Sequence, residues 1–135
     1  MKPTLVLLPM DDRPVNYDYP GYLARLAGYE LRLPQRDWLG NPWRESQHAR
    51  LVEWLGQEAG TADILIVAID SLAYGGLIPS RTSREPLEPV LDRLSILRQI
   101  NGQGVTFLIV THSLDLISFA TRAYEMERGS LRAVK

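Results

Sequence analysis

No cysteine occurs among the 135 residues, so neither a disulfide framework nor a thiolate metal site contributes to this fold. Neither sign of charge is in excess. Fifteen Lys and Arg face 16 Asp and Glu, for a formal net charge of −1, and no block of like charges stands out. Nucleic acid and anionic membrane surfaces both demand clustered positive charge, so neither is expected as the main partner. Long apolar runs are missing too. The longest, Leu5 to Leu8 and Ile64 to Ile69, fall far short of the roughly 20 residues a membrane span needs. Lys2 is followed by only a brief apolar stretch before Asp11-Asp12-Arg13, too short for a secretory signal. A cytoplasmic location is the expectation. There is no GxxxxGK[ST], GxGxxG, HExxH or GxSxG motif, which leaves nucleotide phosphate loops, zinc proteolysis and α/β-hydrolase chemistry without positive support.

What remains is a chain of one-domain size, residues 1–135, with 45% hydrophobic residues, enough for a core of its own. Thr4 to Pro9 is an almost wholly apolar run between two prolines, the pattern of a strand covered on both faces. A first helix is predicted over Tyr19 to Ala27, with Tyr22, Leu23, Leu26 and Ala27 on its apolar face and Gly28 at its end. Tyr29 to Leu33 reads as an edge strand, and Gln35 to Arg44 as an irregular loop carrying Trp38 and Trp43. Glu45 to Ala59 reads as a second helix, with His48 on its solvent face. Asp63 to Ile69 is the strongest buried-strand signal and is expected at the sheet centre. Ser71 to Arg84 reads as a loop, and Pro86 to Ile100 as a third helix. Val105 to Val110 reads as a fourth strand, and Leu114 to about Glu127 as a last helix stopped by Gly129. The alternation predicts a three-layer α/β domain with a parallel sheet of about four strands, flavodoxin-like or Rossmann-like. A partial β/α barrel is the alternative.

In a parallel sheet, ligands bind beyond the carboxyl ends of the strands. Those ends carry Asp11, Asp12 and Arg13, then Arg36 and Asp37, then Asp70, Tyr74 and Arg81, and finally Thr111, His112 and Ser113. The opposite ends offer mainly turn residues. Asp11, Asp12 and Asp70 are the candidate catalytic carboxylates, able to divide acid and base roles or to hold a hard cation. No metal is assigned, since each Asp can equally cap a turn. Arg13, Arg36 and Arg81 can clamp an anionic or polyhydroxy substrate, although each read singly is a solvated surface residue. Gly75 and Gly76, after Tyr74, permit close backbone approach and form a candidate closing loop. His112 is a candidate base or phosphate sensor, weighed against a structural role.

Three segments occur in order: LPMDDRPVN over residues 8–16, LPQRDWLGN over 33–41 and IDSLAYGGLIPSR over 69–81. Together they resemble the bacterial family known as domain of unknown function 4127, over about residues 2–100. The resemblance implies no established reaction, and it implies that this chain is an N-terminal piece of a longer architecture. It carries Asn16 into the candidate substrate-binding set and matches Asp11, Asp12, Arg13, Arg36, Asp70, Tyr74, Gly75, Gly76 and Arg81 to family motifs. Met10, Gln35 and Pro79 depart from those motifs. From about residue 104 onward, VTFLIVTHSLD and YEMERGSL resemble the C-terminal end of an ATP-binding-cassette ATPase. That likeness implies a nucleotide contact at His112 and marks residues 101–104 as a candidate junction between unrelated segments. The phosphate loop, signature motif and Walker B acidic pair are missing, so ATP hydrolysis by this chain alone is not expected. The leading expectation is a fragment of a hydrolase-like enzyme acting on a small molecule, with its cofactor unknown. The rival is a non-catalytic module, or chimeric fragment, whose partner is the remainder of a longer protein.

Overall fold

The computed structural model describes residues 1–105, 117–118 and 120–135. Strand β1 (Thr4–Leu8) is followed by two helices, α1 (Pro14–Tyr17) and α2 (Tyr19–Leu26), then by strand β2 (Glu30–Arg32). A 3-10 turn at Arg36–Trp38 leads to helix α3 (His48–Ala59) and strand β3 (Ile64–Val67). Helices α4 (Ile69–Tyr74), α5 (Leu77–Thr82) and α6 (Leu87–Gly102) come next, and strands β4 (Tyr124–Glu127) and β5 (Ser130–Ala133) close the chain. The class is α/β, built, among the described residues, on a three-stranded parallel sheet in the order β2-β1-β3.

Among the described residues β1 lies between two partners and β3 pairs with β1, with Ile66 48% exposed. Apolar content reports how well a strand is covered, not where it stands in the order, and TLVLL and ILIV differ little in that respect. The predicted fourth strand falls on residues 105–110, of which all but Val105 lie outside the described residues.

Leu8 of β1 joins Leu39, Leu51, Leu55, Ala59, Leu72 and Ile100 in one buried cluster, with Leu65 and Val67 of β3 packed against it. Helices α3, α4 and α6 thus cover one face of the sheet. Their apolar spacing explains it: Leu51, Leu55 and Ala59 recur every fourth residue along α3 and are all buried. Replacing Leu51 by Ala is expected to cost about 3 kcal/mol, read as a lower urea midpoint with an unchanged slope.

Helix α2 reverses its expected orientation. Ala24 is its buried residue, while Leu23 and Leu26 are exposed. The loop expected over Ser71 to Arg84 is instead α4 and α5, separated by Gly75 and Gly76. Six-residue helices are too short to show a helical period, and Pro79 falls in the first turn of α5, where an N–H has no helical partner to lose. The last predicted helix is corrected over residues 124–127, which form β4 of an antiparallel hairpin. Arg128 and Gly129 both have positive φ, the conformation of a tight two-residue hairpin turn, so Gly129 marks a turn and not a helix end. Among the described residues no helix is long and apolar enough to cross a membrane.

Candidate functional site: the junction of three loops

The segment after β1 folds around one carboxylate. Asp11 is 8% exposed, and its Oδ2 accepts hydrogen bonds from Arg13 Nε at 3.0 Å and Nη2 at 2.7 Å. Its Oδ1 accepts from the Arg13 backbone N–H at 3.0 Å and from Asn16 Nδ2 at 2.9 Å. Burial pushes the Asp11 carboxyl up, but these bonds to the ionised form outweigh it and hold the group below the usual carboxylate range. The aspartate, arginine and asparagine of the first motif are therefore one local network that shapes the turn into α1.

Asp12 ties this turn to the segment after β2. Its Oδ2 accepts from Asn41 Nδ2 at 2.8 Å and from Arg44 Nη2 at 3.2 Å. Arg44 Nη2 also donates to the carbonyls of Leu39 and Arg36, at 3.0 and 3.2 Å, so one guanidinium gathers the whole second loop onto Asp12. Arg36 points elsewhere. It pairs with Asp18 and lies over the Tyr17 ring, 4.3 Å from its centroid. Tyr17 in turn donates to the carbonyl of Pro34 at 2.6 Å.

Backbone-to-backbone contacts bring in the third motif. A Cβ on Gly40 would stand 2.4 Å from the carbonyl oxygen of Gly75, and one on Gly76 would stand 3.3 Å from the carbonyl oxygen of Met10. The Gly76 N–H donates to the Asp70 carbonyl at 3.1 Å. Thus Met10 to Arg13, Gly40 to Arg44 and Gly75-Gly76 meet at one place beyond the carboxyl end of the sheet. Gly75 and Gly76 have φ of 86° and 145°, a region that side chains strongly disfavour. Behind the turn, Arg93 of α6 donates from Nε to the Ala73 carbonyl at 2.8 Å and from Nη1 to Glu85 at 2.9 Å.

The structure therefore brings Asp11, Asp12, Arg13, Asn16, Gly75 and Gly76 to a common junction, with Asp70 in the first turn of α4 and Tyr74 in its last. Arg36 belongs to a separate pair, Arg81 is exposed in the last turn of α5, and His112 lies outside the described residues. Asp11, Asp12 and Asp70 make no cation cage. Among the described residues no three His, Asp or Glu side chains gather as a metal site would require.

One residue is placed differently from its sequence reading. His48 is half-buried at the start of α3, with Nε2 buried and lacking any hydrogen-bond partner. Ser46 Oγ and Ser71 Oγ are likewise buried without partners. Ser46 and His48 both press on Gly75: Oγ and Nε2 lie 3.2 and 3.4 Å from where its Cβ would be. Burial and the Arg93 guanidinium lower the His48 pKa, against the opposing pull of Glu85 and Glu45. Nothing in the local sequence signalled this, because the partner that buries His48 comes 27 positions later. Away from the junction, a depression of about 570 Å³ runs between α2 and β2, lined by Tyr17, Tyr22, Arg25 and Tyr29 among others.

A parallel-sheet α/β domain whose three loops converge on paired glycines is what these residues define. The chain belongs to the family described as Protein of unknown function (DUF4127), whose profile matches residues 5–114. The match runs through residues 101–104 and covers 105–114, where the sequence also looks cassette-like. The likeness of the tail to ATP-binding-cassette ATPases finds no counterpart in these comparisons. No curated protein and no solved structure matches the chain.

Proposed function

We propose that the loop junction is the site of a hydrolase-like activity on a small polar molecule. The observation that carries this reading is the convergence of the three motifs at the carboxyl end of the sheet, held by Asp12 and by the Gly40–Gly75 contact. Asp12 spends Oδ2 on Asn41 and Arg44, which leaves Oδ1 to take or give a proton. Asp70 supplies the second carboxylate, so that one group takes a proton from water as its oxygen attacks and the other protonates the leaving group. Arg13 gives Nε and Nη2 to Asp11 and keeps Nη1 for substrate. With Arg13, Arg36 and Arg44 each already paired to an aspartate, a polyhydroxy substrate fits better than a strongly anionic one.

The test is hydrolysis of 4-nitrophenyl esters, phosphates and glycosides by the full chain and by Asp12→Asn and Asp70→Asn. Turnover of at least one substrate by the parent chain, falling about 100-fold or more in either variant, is the expected result. A blank panel, or equal turnover in all three proteins, rejects the assignment. The second reading, a non-catalytic module completed by further protein, draws on a different observation. Ile64 and Ile66 of β3 and Leu23 and Leu26 of α2 are all exposed, and parallel strands are ordinarily covered on both faces.

A further inference from the structure

We propose that Ser46 Oγ and His48 Nε2 form a hydroxyl-binding subsite beneath the Gly75-Gly76 turn, which takes an uncharged hydroxyl of a polyhydroxy ligand when the turn swings aside. The inference deepens, and rests on, the reading of the loop junction as a small-molecule site.

Both atoms are buried and neither has a partner, although buried polar groups are almost always hydrogen-bonded. They stand against a single point of the backbone, the α-carbon face of Gly75. One hydroxyl group satisfies both at once, because it can donate to an imidazole nitrogen and accept from a serine. The surrounding charges select a neutral ligand group. Burial and Arg93 disfavour the charged form of His48, with Glu85 and Glu45 the acidic groups that face it. Arg93 itself is committed to Glu85 and to the Ala73 carbonyl, so the pocket floor offers no unpaired cation to a phosphate or carboxylate. The cover is able to move. Its two residues are glycines at positive φ, able to change backbone conformation without side-chain clashes; the Gly75 and Gly76 N–H groups donate to the Ser71 and Asp70 carbonyls, and the Gly76 carbonyl accepts from the Ser80 N–H at 3.1 Å.

The experiment follows the imidazole nitrogen signals of the uniformly ¹⁵N-labelled full chain, assigned with His48→Gln, during titration with myo-inositol, methyl α-glucoside and inorganic phosphate. A saturable shift of the His48 signals with at least one polyol and none with phosphate is expected. Ser46→Ala should raise the half-saturating concentration about tenfold, the loss of one hydrogen bond from the pair. Failure of both polyols to move His48, an equal response in Ser46→Ala, or a response to phosphate instead overturns the proposal. A blank hydrolysis panel with a responding His48 removes the catalytic reading and leaves the subsite. Turnover lost in Asp12→Asn with an unresponsive His48 does the reverse.

Discussion

Gly40→Ala should be among the most damaging single substitutions in the chain, lowering stability by about 3 kcal/mol and shifting the urea midpoint accordingly. A methyl group there would stand 2.4 Å from the Gly75 carbonyl oxygen and 3.3 Å from the Ser46 Cβ. Neither neighbour is the far end of a flexible side chain. The Gly75 carbonyl oxygen is part of the backbone, and Ser46 Cβ is one bond from it, so the methyl can be accommodated only by parting the second loop from the third. Gly60→Ala is the control, since a Cβ there meets nothing within 4 Å. Equal midpoints for the two variants would show that the loops do not meet as described.

Asp11→Ala should cost a comparable amount, about 3 kcal/mol, through a different mechanism. It strips four hydrogen bonds from one carboxylate and leaves the Arg13 guanidinium and the Asn16 amide without their acceptor. The pH dependence separates charge from shape. The folded pKa of Asp11 lies below its unfolded value, so its contribution is fully present above the unfolded value of about 3.9 and is lost as pH falls through the folded pKa. Asp11→Asn, which keeps the shape and loses the charge, should therefore lie closer to the parent protein at low pH than at pH 7. Urea midpoints at pH 3 and pH 7 measure this. A constant difference across that range would exclude an ionised Asp11 as the holder of the turn.

The elements with an unbroken period were legible in the sequence. β1, β2, α3 and α6 lie within a few residues of where apolar spacing and flanking Pro or Gly put them. α4 and α5 were not, because six residues make less than two turns and the glycine pair between them looks like a loop in either case. The β4–β5 hairpin was hidden for a related reason. Glycine ends helices and makes hairpin turns alike, and only the register of Glu125 against Arg132 decides between them. In the candidate site, the chemical residues were visible as polar strand ends, yet their pairing was not. Asp12 meets Asn41 and Arg44 across 29 and 32 positions, and no local pattern records such a contact. His48 was misplaced in the same way, since a polar position on an amphipathic helix is exposed only until another loop settles on it.

The strand order has a consequence for how the chain is made. β1 is synthesised first, but its second neighbour, β3, arrives only after α3. The Thr4 N–H that donates to the Asp63 carboxylate spans 59 positions. On the ribosome β1 can pair with β2 early and must then wait, one hydrogen-bonding edge open, until the residues up to Val67 have emerged. Closing the sheet is therefore a long-range step and should set the folding rate, with the loop junction completed last because it needs all three motifs at once.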